Sequence, residues 1–138
     1  MAESMKNIVG YSFTNATPVT DRFHVQQLVS EARQEIRILL RKEAIREENK
    51  NIKLARSESK KYKSQTFENG DTKKQLLARS RYLLFKLQGK WHEFQQKISE
   101  ILFREFPELK NAYDLSMMFR GCYKRSRSIA EARESFAK

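Results

Sequence analysis

Asp21 is the residue of this sequence best placed for catalysis or ligand binding, since α/β proteins tend to set such a side chain at a strand's carboxyl end beside a helix start. It closes the run Thr17-Pro18-Val19-Thr20 and is followed at once by Arg22, Phe23 and His24. An arginine can face a phosphate, and a histidine one turn on suggests a mixed metal site. Each group also has a plainer reading. The Asp21 carboxylate can accept the free N–H groups at a helix start, and spacing alone favours that cap. Arg22 can face solvent. The other histidine, His92, is far off in sequence and no Cys or His stands at zinc-ligand spacing, so local hydrogen bonding suits His24 better. Nucleophile motifs are absent: there is no Gly-x-Ser-x-Gly, no phosphate-binding Gly loop, and no catalytic-partner pattern around Cys122.

The elements around Asp21 follow from pattern. Val19 and Thr20 are β-branched and suit a strand, and Pro18 tolerates only its start or edge. From Val25 the apolar period changes to that of a helix, with Val25, Leu28, Val29, Ala32, Ile36, Leu39 and Leu40 along one face. This predicts a long helix from Phe23 to Arg56 or Lys61, its stripe thinning beyond Ile45. Before the strand, residues 1–9 suit two helical turns that Gly10 can end. Asn69-Gly70 marks a turn. Asp71 or Thr72 then caps a helix to Leu87, burying Leu76, Leu77, Tyr82, Leu83, Leu84 and Phe85. Gln88-Gly89-Lys90 breaks it. A helix from Trp91 to Glu105 follows, with Trp91, Phe94, Ile98, Ile101, Leu102 and Phe106 inward. Pro107 suits the first position of the next helix, to Tyr123. Ser128-Ile129-Ala130-Glu131 reads as a capping box opening a last helix. The fold class expected is mainly α: one long amphipathic helix, three or four shorter ones, and a vestigial N-terminal helix and strand. The aromatic residues recur at helical spacing and read as core rather than as a base-stacking platform.

Bulk composition narrows the function. At 138 residues the chain suits one domain. Only 4 Gly and 2 Pro favour long helices over a loop-rich β fold. The net charge of +11 makes a polyanion, nucleic acid above all, the natural partner, although charge alone is equally compatible with mere solubility. A lone Cys122 permits no intrachain disulfide, and no N-terminal segment has the form of a secretion signal. No apolar run is long enough to span a bilayer. The expected location is cytoplasmic.

The segment VTDRFHVQQLVSEARQEIR resembles the Asp-Arg-Phe-His block of DDE-type insertion-sequence transposases of the ISL-three family. The similarity continues in order through NGDTKKQLLARSRYLLFK, through Trp91, and through ILFREFPELKNAYDLSMMFRGCY. The resemblance implies that Asp21 is the second carboxylate of an Asp-Asp-Glu site holding Mg²⁺ or Mn²⁺. Such ions, about 3.5–4 Å apart, activate the attacking oxygen and stabilise the leaving one. Neither Glu3 nor Asp71 sits where the resemblance puts the other two carboxylates. It further implies that residues 1–21 end a ribonuclease-H-like core and that 22–138 are the helical insertion after it. The expectation is an internal fragment with no tightly bound metal, inactive alone.

For DNA the expected contacts are Arg22, Arg33, Arg37, Arg41 and Lys42 on the long helix, with Lys73, Lys74, Arg79 and Arg81 beyond it. They would touch backbone phosphates without reading bases. Full-length transposase is a second expected partner. The alternative is a stand-alone basic helical protein that binds DNA or another protein.

Overall fold

The computed structural model describes residues 3–12, 15 and 22–125. The expected strand at 17–20, Asp21 itself and the helix from Ser128 lie outside the described residues. Among those described there are five α-helices and no strand: α1 (Glu3–Ser12), α2 (Arg22–Ser57), α3 (Lys73–Leu83), α4 (Glu93–Glu105) and α5 (Pro107–Arg125). The mainly α expectation holds, long helix included.

α1 runs through Gly10 instead of ending there, a tolerated cost of roughly 1 kcal/mol for an interior glycine. α2 leaves its helical path through Ser59, whose φ of 56° is left-handed, while the Lys60 N–H reaches back to the Ala55 carbonyl at 2.9 Å. The chain then returns without regular structure to a turn in which Gly70 (φ 79°) donates its N–H to the Phe67 carbonyl. α3 starts where its N-terminal donors find partners. The Gln75 side chain accepts from the backbone N–H and the hydroxyl of Thr72. It ends at Leu83, four residues before the expected Leu87, and a 3₁₀ turn at Gln88–Lys90 follows. Pro107 does open α5.

α3, α4 and α5 pack in sequence, and α2 lies against α3 and α5. Leu76, Leu77, Leu84, Leu102 and Leu109 are fully buried, each worth about 1.5–3 kcal/mol of transfer free energy. Trp91, Phe103 and Tyr113 meet as tilted ring pairs 5.4–6.1 Å apart. Their polar tips serve the α3–α4 connection. The Trp91 indole N–H donates to the Leu83 carbonyl at 3.0 Å, and the Tyr113 hydroxyl donates to the Lys86 carbonyl at 2.8 Å. The Leu83 carbonyl also accepts the Lys86 N–H at 3.1 Å, so the indole is its second donor. Tyr82, Phe85 and Phe94, expected inward, are exposed, Phe85 because α3 has ended before it. Leu115 and Met118 are exposed on α5.

The main surprise is what shares the inward face of α2. That face carries Val29, Arg33, Ile36, Arg37, Leu40 and Ala44: the expected stripe members Val29, Ile36 and Leu40 keep their facing, and Arg33 and Arg37 stand among them. Leu28, Ala32 and Leu39 are exposed. The aliphatic stems of the arginines supply the packing that apolar residues were expected to supply.

A candidate nucleic-acid interface

The basic residues divide by what they touch. Arg33 and Arg37 were expected on the outward faces of α2, yet both are buried. Arg37 donates through Nη1 to the Leu77 carbonyl at 2.8 Å and through Nε to Gln34 Oε1 at 2.7 Å. Gln34 in turn donates to the Arg81 carbonyl. The pair therefore docks α2 onto the C-terminal half of α3, where the helix dipole favours positive charge. Burial, then the neighbouring Arg81 and Arg41 charges, hold the Arg37 pKa below its ordinary value. Arg33 donates to Ser116 Oγ at 2.6 Å and lies over the rings of Phe85 (5.2 Å) and Tyr113 (5.9 Å).

On the surface, three of the expected contacts carry carboxylate partners. Lys73 meets Glu47 at 3.2 Å, Lys74 meets Glu48 at 2.6 Å, and Arg79 meets Asp71 at 2.5 Å. Asp71 is buried, accepts from the Asn69 side chain at 3.0 Å, and returns its own carbonyl to the Phe67 N–H. Its role is to clip the turn before α3. Arg81 stacks over Tyr82 at 5.5 Å. Arg22, Arg41 and Lys42 are exposed on α2, as are Arg46, Lys50 and Lys53 further along it. His24 is exposed in the first turn.

Two cavities adjoin these residues. The larger, about 580 Å³, lies between α2, the returning chain and the start of α3. Glu47 and Glu48 line it together with Lys63, Lys73 and Lys74, so its charge is mixed. The smaller, about 100 Å³, lies between α2 and α5 and is lined by Arg33 and Arg120.

No group of three His, Cys, Asp or Glu side chains able to hold a metal ion occurs among the described residues. They do not fit a two-ion carboxylate cage, which needs several acidic ligands around one point. Nor is any described helix long and apolar enough to cross a membrane.

Sequence reasoning did not anticipate the cluster of Arg33, Phe85, Tyr113, Ser116 and Arg120. One signal was available. Arg33, Arg37, Leu40 and Ala44 follow the three- and four-residue spacing of a buried helical row.

A family model described as a transposase, of the ISL-three type, matches residues 1–138. No curated protein and no solved structure matches.

Proposed function

Because the chain belongs to that transposase family, we propose that residues 1–138 are a DNA-associated part of a DDE-type transposase, unable to cut DNA on their own. A transposase acts on DNA, and the observation that carries the DNA reading here is the exposed basic surface of α2. Arg41, Lys42, Arg46, Lys50 and Lys53 stand exposed on a helix within a chain of net charge +11. Contacts of that kind bind backbone phosphates without base readout, so the binding is weak, salt-sensitive and indifferent to sequence. Lys73 can join by exchanging its exposed partner Glu47, since such a surface pair is worth about 0–1 kcal/mol, whereas Arg79 is held to the buried Asp71.

The catalytic half of the reading rests on donor chemistry. Asp21 is the one residue that the family pattern assigns to the metal site, and a single carboxylate cannot hold two divalent ions. Mg²⁺ or Mn²⁺ chemistry therefore needs further carboxylates, and no step is assigned to this chain. On this reading residues 1–21 belong with a ribonuclease-H-like core and 22–138 form a helical insertion.

Gel shifts of labelled duplex DNA at low salt, with a parallel plasmid-nicking assay in Mg²⁺ or Mn²⁺, test both halves. The expected result is a shift that fades as salt rises, with no nicking. Absence of any shift at low salt overturns the DNA reading. Nicking that disappears in Asp21→Ala overturns the catalytic one.

The exposed row Leu28, Ala32 and Leu39 on α2 favours a second reading, an interaction module for another protein such as full-length transposase. Co-purification that Leu28→Ser with Leu39→Ser abolishes, while DNA binding is retained, would single it out.

A further inference from the structure

Arg33 is 2% exposed, and among the described residues no carboxylate pairs with it. Its Nε has no hydrogen-bond partner among them. A guanidinium does not shed its proton inside a protein, so burying one costs several kcal/mol that must be offset locally. The compensation found is one neutral hydroxyl and two aromatic faces. The hydroxyl is itself committed: Ser116 Oγ donates to the Tyr113 carbonyl at 2.7 Å and presents only its lone pairs to Arg33. The nearest additional charge makes matters worse. Arg120 lines the same small cavity and donates to the Phe85 carbonyl, so two guanidinium groups converge on Phe85 from α2 and α5.

Among the described residues, no Asp or Glu lines this cavity. Apart from Ser116, its polar lining is Arg33, Arg120, the Ser30 hydroxyl and the Gln26 amide, all able to donate. Its volume of about 100 Å³ matches roughly three waters at about 30 Å³ each. That is room for one phosphate group and not for a nucleotide. Arg120 is exposed while Arg33 is buried, so the cavity runs from the surface to a cation at its floor.

We propose that the cavity between α2 and α5 is a binding site for a single phosphate-type oxyanion, held by Arg33 at its floor and Arg120 at its rim. Ser30 and Gln26 supply neutral donors to the remaining oxygens. The phosphate is either inorganic phosphate or one phosphodiester of a nucleic-acid backbone, and only the second source rests on the DNA reading above.

The test uses the whole chain. Thermal melts and ³¹P titrations are run in potassium phosphate against potassium chloride of matched ionic strength. The wild type is expected to show a saturable rise in midpoint with phosphate. Arg120→Gln, a rim change, should weaken phosphate at least fivefold while melting like the wild type in chloride. Arg33→Lys, checked for helicity, should lose saturation. Equal midpoints in phosphate and chloride would overturn the proposal and leave a water-filled cavity. So would wild-type phosphate binding by both variants.

Low-salt DNA binding then identifies the source. If Arg120→Gln weakens DNA in parallel and phosphate competes, the ligand is a backbone phosphodiester. If DNA binding is unchanged while phosphate binding is lost, it is the free ion. Phosphate binding without any DNA binding would refute the functional reading and still uphold this site.

Discussion

Arg33 and Ser116 are 83 residues apart and joined by a 2.6 Å hydrogen bond, buried between α2 and α5. A cation and a hydroxyl occupy a seam where the sequence pattern calls for aliphatic packing. Ser116→Ala removes the hydroxyl that accepts from Nη1 and leaves a buried donor unsatisfied. The expected loss is about 1–3 kcal/mol in urea unfolding. A loss below the error of the measurement would mean that the seam is not closed in solution.

The facing of α2 predicts a sharp contrast between leucines. Leu102→Ala, at a fully buried site, should cost about 2–5 kcal/mol. Leu39→Ala, at a site 59% exposed, should fall within about 0.5 kcal/mol of the wild type. Comparable losses from both would restore the apolar stripe that the sequence suggests.

That stripe shows how far the sequence could be read. The bounds of α2, α4 and α5 were legible to within two residues, because amphipathic period, the Gln88-Gly89-Lys90 break and Pro107 are local signals. The facing of α2 was legible only in part. Counting only apolar side chains picks Val25, Leu28, Val29, Ala32, Ile36, Leu39 and Leu40, of which Ile36 and Leu40 pack on the core while Leu28, Ala32 and Leu39 face solvent. The folded chain weighs carbonyl acceptors on α3 as well. Those acceptors belong to a helix forty residues away, and no window along α2 contains them. Likewise the turn after α3 is braced from later in the chain, by Trp91 donating to the Leu83 carbonyl and Tyr113 to that of Lys86, which no local pattern shows. The surface set Arg22, Arg41 and Lys42 was legible as exposed charge, while Arg33 and Arg37 were hidden by the same stem-burying habit.

Alkaline pH should unfold the protein partly through Tyr113. Burial raises its pKa above the ordinary tyrosine value of 10.0. A proton held more tightly in the folded state stabilises fully below the unfolded pKa, and that stability is lost as pH rises through the folded one. Stability should therefore decline above about pH 10, and the decline should be shallower in Tyr113→Phe. The same variant should lose about 0.5–1.5 kcal/mol at neutral pH with the Lys86 hydrogen bond. Parallel pH profiles for the two proteins would refute the assignment.

Two turn residues should respond in opposite directions. Ser59 holds φ 56°, so Ser59→Gly should stabilise by up to about 1 kcal/mol. Gly70 holds φ 79°, and Gly70→Ala should destabilise by about 1–2 kcal/mol. Melting curves of the pair suffice to check this.

On the DNA side, Arg41→Gln with Lys42→Gln should weaken binding to all duplex sequences about equally. Removing one phosphate-binding side chain should reduce the salt slope by about one. Sequence-selective weakening in a panel of duplexes would show base readout in place of backbone binding.

The separation of α2 from its docking partner also sets a timetable for synthesis. Ser57 closes α2, and Ser116 follows 59 residues later (116 less 57). At about 5–20 residues per second, the long helix has left the ribosome's active site for on the order of several seconds before its last anchor is even translated. Arg37 can meet the Leu77 carbonyl as soon as α3 is made, whereas Arg33 lacks its Ser116 acceptor until α5 follows. Of these two polar anchors of α2, the one to α5 is therefore the later to close.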